Sequence, residues 1–277
     1  MRRSETMTRM CAQPSKLGLP PRQGAQLSGT IPVMRLDAAW QRALELAWAS
    51  FLARTTPVGA VVASPSGRAR GRGPGRRYEQ PDGGGGLAFC HVAHAEINAL
   101  AGLPPTRHYE DHILVTTLEP CCMYLGAAIQ STVTHLHFAG RDPYGGASDL
   151  VVETPQARRR PLAITGPLAD ERGRFAELLH IRWLLEFGAS GPVLEPLQRG
   201  SPDVYEMAAR PATSELFAQL RHCSSDVSQA IAAVPTRDAC RRDNGPLSLL
   251  RASSFVPAHP AGRVRSRRIF MSRRNRP

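Results

Sequence analysis

The sequence predicts an α/β fold of three layers, in which helices cover both faces of a mixed β-sheet. Segments with helical spacing of apolar residues alternate along the chain with short runs that are predicted to be strands. The first two runs are separated only by a tight turn and therefore form a hairpin. The later runs are separated by helices, which is typical of parallel strands. A hairpin followed by such units gives a mixed sheet that is buried on both faces.

The first half of this pattern is a helix, a hairpin and a second helix. Residues 36–53 form a helix whose large apolar side chains recur at helical spacing: Trp40, Leu44, Trp48 and Phe51. Residues 57–73 contain two short strands around the turn Ser-Pro-Ser-Gly at 64–67. Residues 92–103 form a helix that ends before two consecutive prolines.

The second half alternates strands and helices. The β-branched run at 112–118 predicts a buried strand, and 121–130 predicts a helix. A further strand is expected at 134–142, and an amphipathic helix at 168–187 that ends at Gly188. The apolar side chains of this last helix are predicted to point inward: Phe175, Leu178, Leu179, Trp183 and Phe187.

The net positive charge of the chain comes from its two end segments, because the central region is neutral. Of the formal net charge of +12, residues 1–33 carry +4 and residues 196–277 carry +8, whereas residues 34–195 hold 16 Arg and 16 acidic residues. The composition therefore predicts a disordered leader at 1–33, a neutral, folded domain at 34–190 and a mostly disordered, Arg-rich tail at 191–277. Such a tail is usually a solvated arm, and RNA contact is the alternative.

The chain shows no sign of a secreted or membrane protein. Its six cysteines are scattered without a disulfide framework. It has no apolar run of signal-peptide length near the N-terminus and no stretch of 18 apolar residues. These features predict a cytoplasmic protein without membrane association, in which paired cysteines usually serve a metal or a reaction.

Two short motifs carry the chemistry, His-Ala-Glu at 94–96 and Pro-Cys at 120–121. A neutral imidazole and a thiolate are both good zinc ligands. Cys121 is expected where a helix begins, and the amides there favour a thiolate. Glu96 follows His94 by two residues, so its carboxylate could reach a metal-bound water without ligating the metal. The two motifs therefore predict a Zn²⁺ site with a carboxylate beside it.

Together with the flanking segments, these motifs resemble the cytidine/deoxycytidylate deaminase superfamily, in the branch that holds nucleoside, tRNA-adenosine and guanine deaminases. The resemblance rests on PVGAVV, HAEINAL, TTLEPCCMYLGAAI and RDPYGGA, and it spans about residues 34–188. It implies that His94 and Cys121 ligate zinc and that Glu96 moves protons. It further implies a cytidine-deaminase-like α-β-α fold, a homodimer, and hydrolytic removal of an amine from a base, nucleoside or nucleotide.

The chain departs from the family pattern at two positions. Tyr124 stands where the second cysteine is expected, three residues after Cys121 and on the same helical face. A phenol has an unperturbed pKa of about 10 and prefers metals harder than zinc. Cys122 points about 100° away from Cys121 on a helix. Gly75 replaces the asparagine that the family offers to its substrate, and His91 is a conceivable substitute ligand.

Three functions follow from these residues. The favoured one is a zinc-dependent hydrolytic deaminase in which His94, Cys121 and Tyr124 surround the metal and Glu96 is catalytic. The second is an impaired deaminase fold that is retained for binding or assembly, as Tyr124 and Gly75 suggest. The third is a tRNA or RNA adenosine deaminase that uses the Arg-rich tail, which the neutral central region argues against.

Overall fold

A computed structural model describes residues 36–81, 83–150 and 154–234. The predicted leader at 1–33 lies outside these ranges, as do tail residues 235–277. Within them a five-stranded sheet runs in the order β2-β1-β3-β4-β5. The strands are β1 (Gly59–Ala63), β2 (Ala69–Pro74), β3 (Ile113–Leu118), β4 (His135–Gly140) and β5 (Ala163–Thr165).

The sheet is mixed, as the sequence predicts. Strand β1 pairs antiparallel with β2 and with β3, whereas β3, β4 and β5 are parallel to one another. All residues of β1 and β3 are buried, because helices pack on both faces. Alternate residues along these strands serve opposite layers. Val61 and Val115 face one core cluster, and Val62 and Leu114 face another.

Helices of the two outer layers have the following bounds: α1 (Asp37–Leu52), α2 (Ala95–Ala101), α3 (Cys122–Gln130), α4 (Pro155–Arg159) and α5 (Glu171–Phe187). Helices α2 and α3 cover one face of the sheet, and α1 and α5 cover the other. The predicted helix at 92–103 begins later than expected, at Ala95, with His94 in extended conformation as its N-cap residue. Helix α5 ends at Gly188, whose φ of 82° is the left-handed conformation that glycine permits.

The first part of the predicted tail, residues 191–233, is largely helical instead of disordered. These residues form four helices, α6 (Gly191–Gly200), α7 (Pro202–Ala209), α8 (Pro211–His222) and α9 (Val227–Ala233). These helices bury apolar side chains against α1 and α5, among them Phe217, which packs edge-on against Phe51 with ring centroids 5.4 Å apart. The indole of Trp48 in α1 donates a hydrogen bond to the Ser225 carbonyl at 2.7 Å. The folded unit therefore extends at least to α9.

None of the helices in the described ranges is both long enough and apolar enough to cross a membrane.

Candidate active site

The two predicted zinc ligands lie at the starts of two helices. His94 is the N-cap residue of α2 and Cys121 is the N-cap residue of α3, and both have extended backbones. The backbone amides of Met123 and Tyr124 lie near the Cys121 sulfur and favour its thiolate, although the side chain makes no capping hydrogen bond. Burial nevertheless outweighs these amides and raises the pKa of the Cys121 thiol. The sequence therefore directs both side chains toward one point where α2 and α3 begin.

The separation of these two side chains suits a shared metal ion. The Cys121 Sγ and His94 Nδ1 atoms lie 3.9 Å apart. In a tetrahedral site, zinc–nitrogen and zinc–sulfur bonds of ordinary length place such atoms about 3.6 Å apart. Burial lowers the pKa of His94, and the nearby Arg77 guanidinium lowers it further. His94 is therefore held in the neutral form that a metal requires.

Glu96 lies at the floor of the same site and is 1% exposed. Burial raises its pKa from 4.5 to about 7, although hydrogen bonds oppose this shift. The main opposing contact comes from Thr116 of β3, whose hydroxyl donates to Glu96 Oε1. A carboxyl group with such a pKa can hold or release a proton near neutral pH.

Tyr124 occupies the position where the family pattern has its second cysteine. Its ring is 2% exposed, and its hydroxyl donates to the Leu118 carbonyl at 3.2 Å. The hydroxyl also interacts with the Glu96 carboxyl. Burial raises the pKa of Tyr124 well above 10, and the charges of Glu96 and Cys121 raise it further. Tyr124 is thus held as a neutral phenol that already has a backbone partner.

These donors do not fit a catalytic zinc site. Such sites use three protein ligands and keep a fourth position for water. His94 and Cys121 supply two donors, but Tyr124 supplies a neutral hydroxyl instead of a thiolate. Within the described ranges, no group of three His, Cys, Asp or Glu side chains is placed to hold a metal ion. The arrangement retains the proton-carrying carboxyl but leaves the expected ligand set incomplete.

The alternative ligands do not complete the set. The exposed His91 contacts Arg77, with 2.7 Å between the imidazole Nδ1 and the guanidinium, and Cys122 is exposed on α3. Gly75 does lie at the pocket, as its alignment with the substrate-binding asparagine predicts. A Cβ atom there would lie 2.3 Å from the Thr56 carbonyl, so the backbone excludes any side chain without local movement.

Beside these groups lies a pocket of about 510 Å³ whose opposite wall is formed by α5. The wall consists of His180, Trp183 and Phe187, with Tyr78 leaning against it. Phe187 was predicted to point into the core, but it is 54% exposed because the last turn of α5 reaches the pocket mouth. Helical spacing identified this apolar face but could not separate its core part from its pocket part.

Asp142 completes the pocket beside α5 and belongs to the segment RDPYGGA at 141–147. Its Oδ1 atom accepts hydrogen bonds from the amides of Tyr144 and Gly145 at 3.1 and 2.9 Å. Its own amide donates to Glu119 Oε2 at 3.1 Å. These bonds fix the carboxylate where the chain leaves β4. Neither Asp142 nor Thr116 was singled out as a site residue from the sequence, because neither belongs to the zinc signature.

A mixed sheet whose α2 and α3 helices direct a histidine, a glutamate and a cysteine into one pocket defines a deaminase-type α/β domain. Residues 34–139 match the family model described as the cytidine and deoxycytidylate deaminase zinc-binding region. This part of the chain therefore matches the zinc-binding region of that superfamily, in agreement with the resemblance. The matched region ends within β4, so α5 and the helices that follow it lie outside it.

Curated relatives share only part of their length with this chain. A tRNA(Ile)-lysidine synthase of Deinococcus radiodurans is 37% identical over 134 residues, which cover 47% of this chain and 22% of the relative. A tRNA(Ile)-lysidine synthase of Deinococcus deserti is 36% identical over 136 residues, covering 47% and 24%. The chain thus spans less than a quarter of the length of these relatives.

The solved structures that are similar to this chain include the following two. A structure from a study of A-to-I editing by tRNA:A34 deaminases at the wobble position is 23% identical, with a TM-score of 0.40, and covers 50% of this chain and 98% of its own. A guanine deaminase from Nitrosomonas europaea is 26% identical, with a TM-score of 0.40, and covers 59% and 94%. Both TM-scores lie below 0.5, so neither likeness bears on the function of this chain.

Proposed function

We propose that this deaminase-family domain binds an amino-substituted base, free or within a nucleoside or nucleotide, and that residue 124 prevents zinc-dependent hydrolysis in the pocket. This proposal rests on the protonation state and the hydrogen bonding of Tyr124. Its hydroxyl is buried, uncharged and bonded to the Leu118 carbonyl. A zinc ligand must be deprotonated before it binds, and this phenol resists deprotonation.

Tyr124 also affects the carboxyl group on which the reaction depends. Its hydroxyl lies against Glu96, the residue expected to carry the proton of a metal-bound water. The larger ring replaces a small thiol at the floor of the pocket. One substitution therefore removes a ligand and places a hydroxyl beside the proton carrier.

The rest of the pocket retains the features of a base-binding site. It is concave and largely apolar, with a few polar groups in fixed positions, as ligand sites usually are. Glu96 can donate or accept a hydrogen bond near neutral pH because its pKa is about 7. Flat aromatic side chains on α5 offer a surface for a planar ring. These features support binding independently of hydrolysis.

Hydrolytic deamination with zinc is the second candidate function. It is favoured by the 3.9 Å separation of His94 Nδ1 and Cys121 Sγ, which suits two ligands of one metal ion. This candidate requires a third ligand that the described residues provide only through Tyr124.

The source of the base is also a proposal. The partial relatives carry the name tRNA(Ile)-lysidine synthase, which supports tRNA as one source. RNA contact through the Arg-rich tail stays a prediction, since tail residues 235–277 lie outside the described residues. A homodimer likewise stays a prediction.

The proposal is tested by measuring binding and turnover on the same samples. Adenosine, guanosine and cytidine are titrated calorimetrically, and ammonia release is then followed in zinc-containing buffer. We expect wild type to bind at least one nucleoside without releasing ammonia, and Tyr124→Cys to gain ammonia release. Tyr124→Phe is the matched control, because it removes the hydroxyl without supplying a thiol.

Two results would contradict the proposal. Turnover by wild type that Glu96→Gln abolishes would establish the hydrolase instead. Absence of binding to all three nucleosides would remove the base-binding function.

A further inference from the structure

Helix α5 carries an imidazole that the zinc signature does not explain. His180 is 8% exposed and lines the pocket, and its Nδ1 atom is buried without a hydrogen-bond partner among the described residues. A buried N–H without a partner is more costly than a bare acceptor. The tautomer with its proton on Nε2 is therefore favoured, which makes Nε2 the donor of this ring. Burial also lowers the pKa of His180, so the ring is held neutral.

The Nε2 atom faces a carboxylate oxygen that it does not reach. His180 Nε2 and Asp142 Oδ2 are 4.0 Å apart, which is beyond the usual range of a hydrogen bond. The other oxygen of Asp142 is engaged by the amides of Tyr144 and Gly145, so Oδ2 is the atom that stays open toward His180. The pocket wall thus holds a hydrogen-bond donor, His180 Nε2, beside a hydrogen-bond acceptor, Asp142 Oδ2, and the two are not bonded to each other.

The same helix carries aromatic rings that lead from this pair to the surface. His180, Trp183 and Phe187 follow one another at spacings of three and four residues on one helix face. The His180 and Trp183 ring centroids are 6.2 Å apart, and those of Trp183 and Phe187 are 5.0 Å apart, with interplanar angles of 24° and 22°. The first two side chains are buried, whereas Phe187 is largely exposed. We call His180, Trp183 and Phe187 the α5 ladder.

We propose that the α5 ladder and Asp142 form a base-reading subsite, in which a planar heteroaromatic base packs against the rings and bridges Asp142 Oδ2 and His180 Nε2. The ligand's N–H donates to the carboxylate oxygen, and an adjacent ring nitrogen or carbonyl accepts from the imidazole. An adjacent donor and acceptor on one planar edge are what nucleobases present. This inference rests on the proposed base-binding function and assigns its recognition to α5, outside the family-model region.

The test uses the intrinsic fluorescence of the full chain, titrated with adenosine, guanosine and cytidine. Trp183 lines the pocket, whereas Trp40 and Trp48 are buried in the core. Bound base should quench the emission of wild type and of Trp48→Phe, and this response should disappear in Trp183→Phe. Short single-stranded RNA of the same bases forms a second arm, which distinguishes a base in a strand from a free nucleoside, and binding in either arm supports the subsite.

Polar recognition is tested by calorimetry with two substitutions that keep the size of the side chain. His180→Phe removes the donor but keeps a ring, and Asp142→Asn keeps an acceptor for the two amides. Each should weaken the best-bound nucleoside about tenfold or more, as expected for loss of a buried hydrogen bond. His222→Phe, an exposed position on α8, is the matched control and should bind like wild type. Circular dichroism checks that each variant is folded.

The outcomes separate this inference from the function on which it rests. If wild type binds a nucleoside and both His180→Phe and Asp142→Asn bind it equally well, the base-reading subsite is wrong and the base-binding function stands. If one substitution fails to fold, the other decides. If wild type binds neither a nucleoside nor RNA, the base-binding function fails, and the subsite fails with it.

Discussion

The two walls of the pocket are built in different ways. The wall at the starts of α2 and α3 presents groups that can change their protonation, with His94, Glu96 and Cys121 above the sheet. The α5 wall presents rings on one face of a long helix, with a single neutral imidazole among them. In the proposed function, chemistry would depend on the first wall and contact with a flat ligand on the second. On this proposal, one substitution at residue 124 removes hydrolysis and leaves recognition intact.

The packing behind the α5 wall can be disrupted by a substitution at Phe217. This side chain is fully buried on α8 and contacts the rings of Trp48 and Phe51 in α1. Phe217→Ala should lower the free energy of unfolding by about 3–5 kcal/mol, because it leaves a large cavity. Urea denaturation followed by circular dichroism measures this loss.

Phe187→Ala is the matched comparison, since it removes the same ring from an exposed position. It should cost only about 1 kcal/mol or less, mainly through lost contacts with Trp183 and Tyr78. Equal losses in the two variants would show that α6–α9 do not belong to the core of this domain.

The wall at the starts of α2 and α3 can be tested through the pKa of Glu96. The folded chain raises this pKa from 4.5 to about 7, so between these pH values the folded chain holds a proton that the unfolded chain has released. The stability that this group contributes is therefore present below about pH 4.5 and lost as the pH rises through about 7. The shift corresponds to about 3 kcal/mol.

Glu96→Gln should abolish this pH dependence, because an amide does not titrate. In metal-free buffer, the variant should become more stable than wild type by up to about 3 kcal/mol above pH 7.5, and the difference should vanish near pH 4.5. Unfolding free energies measured across this range provide the test. A difference that does not change with pH would mean that Glu96 has an ordinary pKa.

The smallest expected effect concerns the start of α5. Asp170 is the N-cap residue and accepts hydrogen bonds from the amides of Arg172 and Gly173. Asp170→Ala should cost about 1 kcal/mol, and Asp170→Asn, which keeps an acceptor, should cost less. Burial raises the pKa of Asp170, but the hydrogen bond and charge of Arg172 together with the two amides outweigh it, so the net pKa is lowered. The benefit of the native residue should therefore fade as the pH falls through that lowered pKa. Thermal melts at neutral and acidic pH would show whether this difference disappears in acid.

Much of the fold could be predicted because local patterns and tertiary packing agree. The β-branched run of β3 is buried on both faces, and the apolar spacing of α1 and α5 matches their packing. The helices α6–α9 were missed because they are short and Pro192, Pro196, Pro202 and Pro211 interrupt the sequence pattern. In three of these helices the proline lies in the first turn, where it is compatible with a helix.

The pocket residues likewise include some that the sequence could identify and some that it could not. His94, Glu96 and Cys121 could be identified because a metal signature constrains residue types at fixed spacing. The α5 ladder lies far away in sequence, and no spacing rule connects Trp183 or His180 to the zinc signature. Only the packing of α5 beside β4 brings them to the same pocket.

The zinc content of the chain separates a base-binding domain with an incomplete metal site from a working zinc hydrolase. Wild type, Tyr124→Cys and Cys122→Ser are saturated with Zn²⁺, dialysed together and analysed for zinc per chain. We expect about one zinc per chain in Tyr124→Cys, as a completed ligand set requires, and far less in wild type and in Cys122→Ser. If wild type retains as much zinc as Tyr124→Cys, its metal site is complete and a working zinc hydrolase is favoured instead.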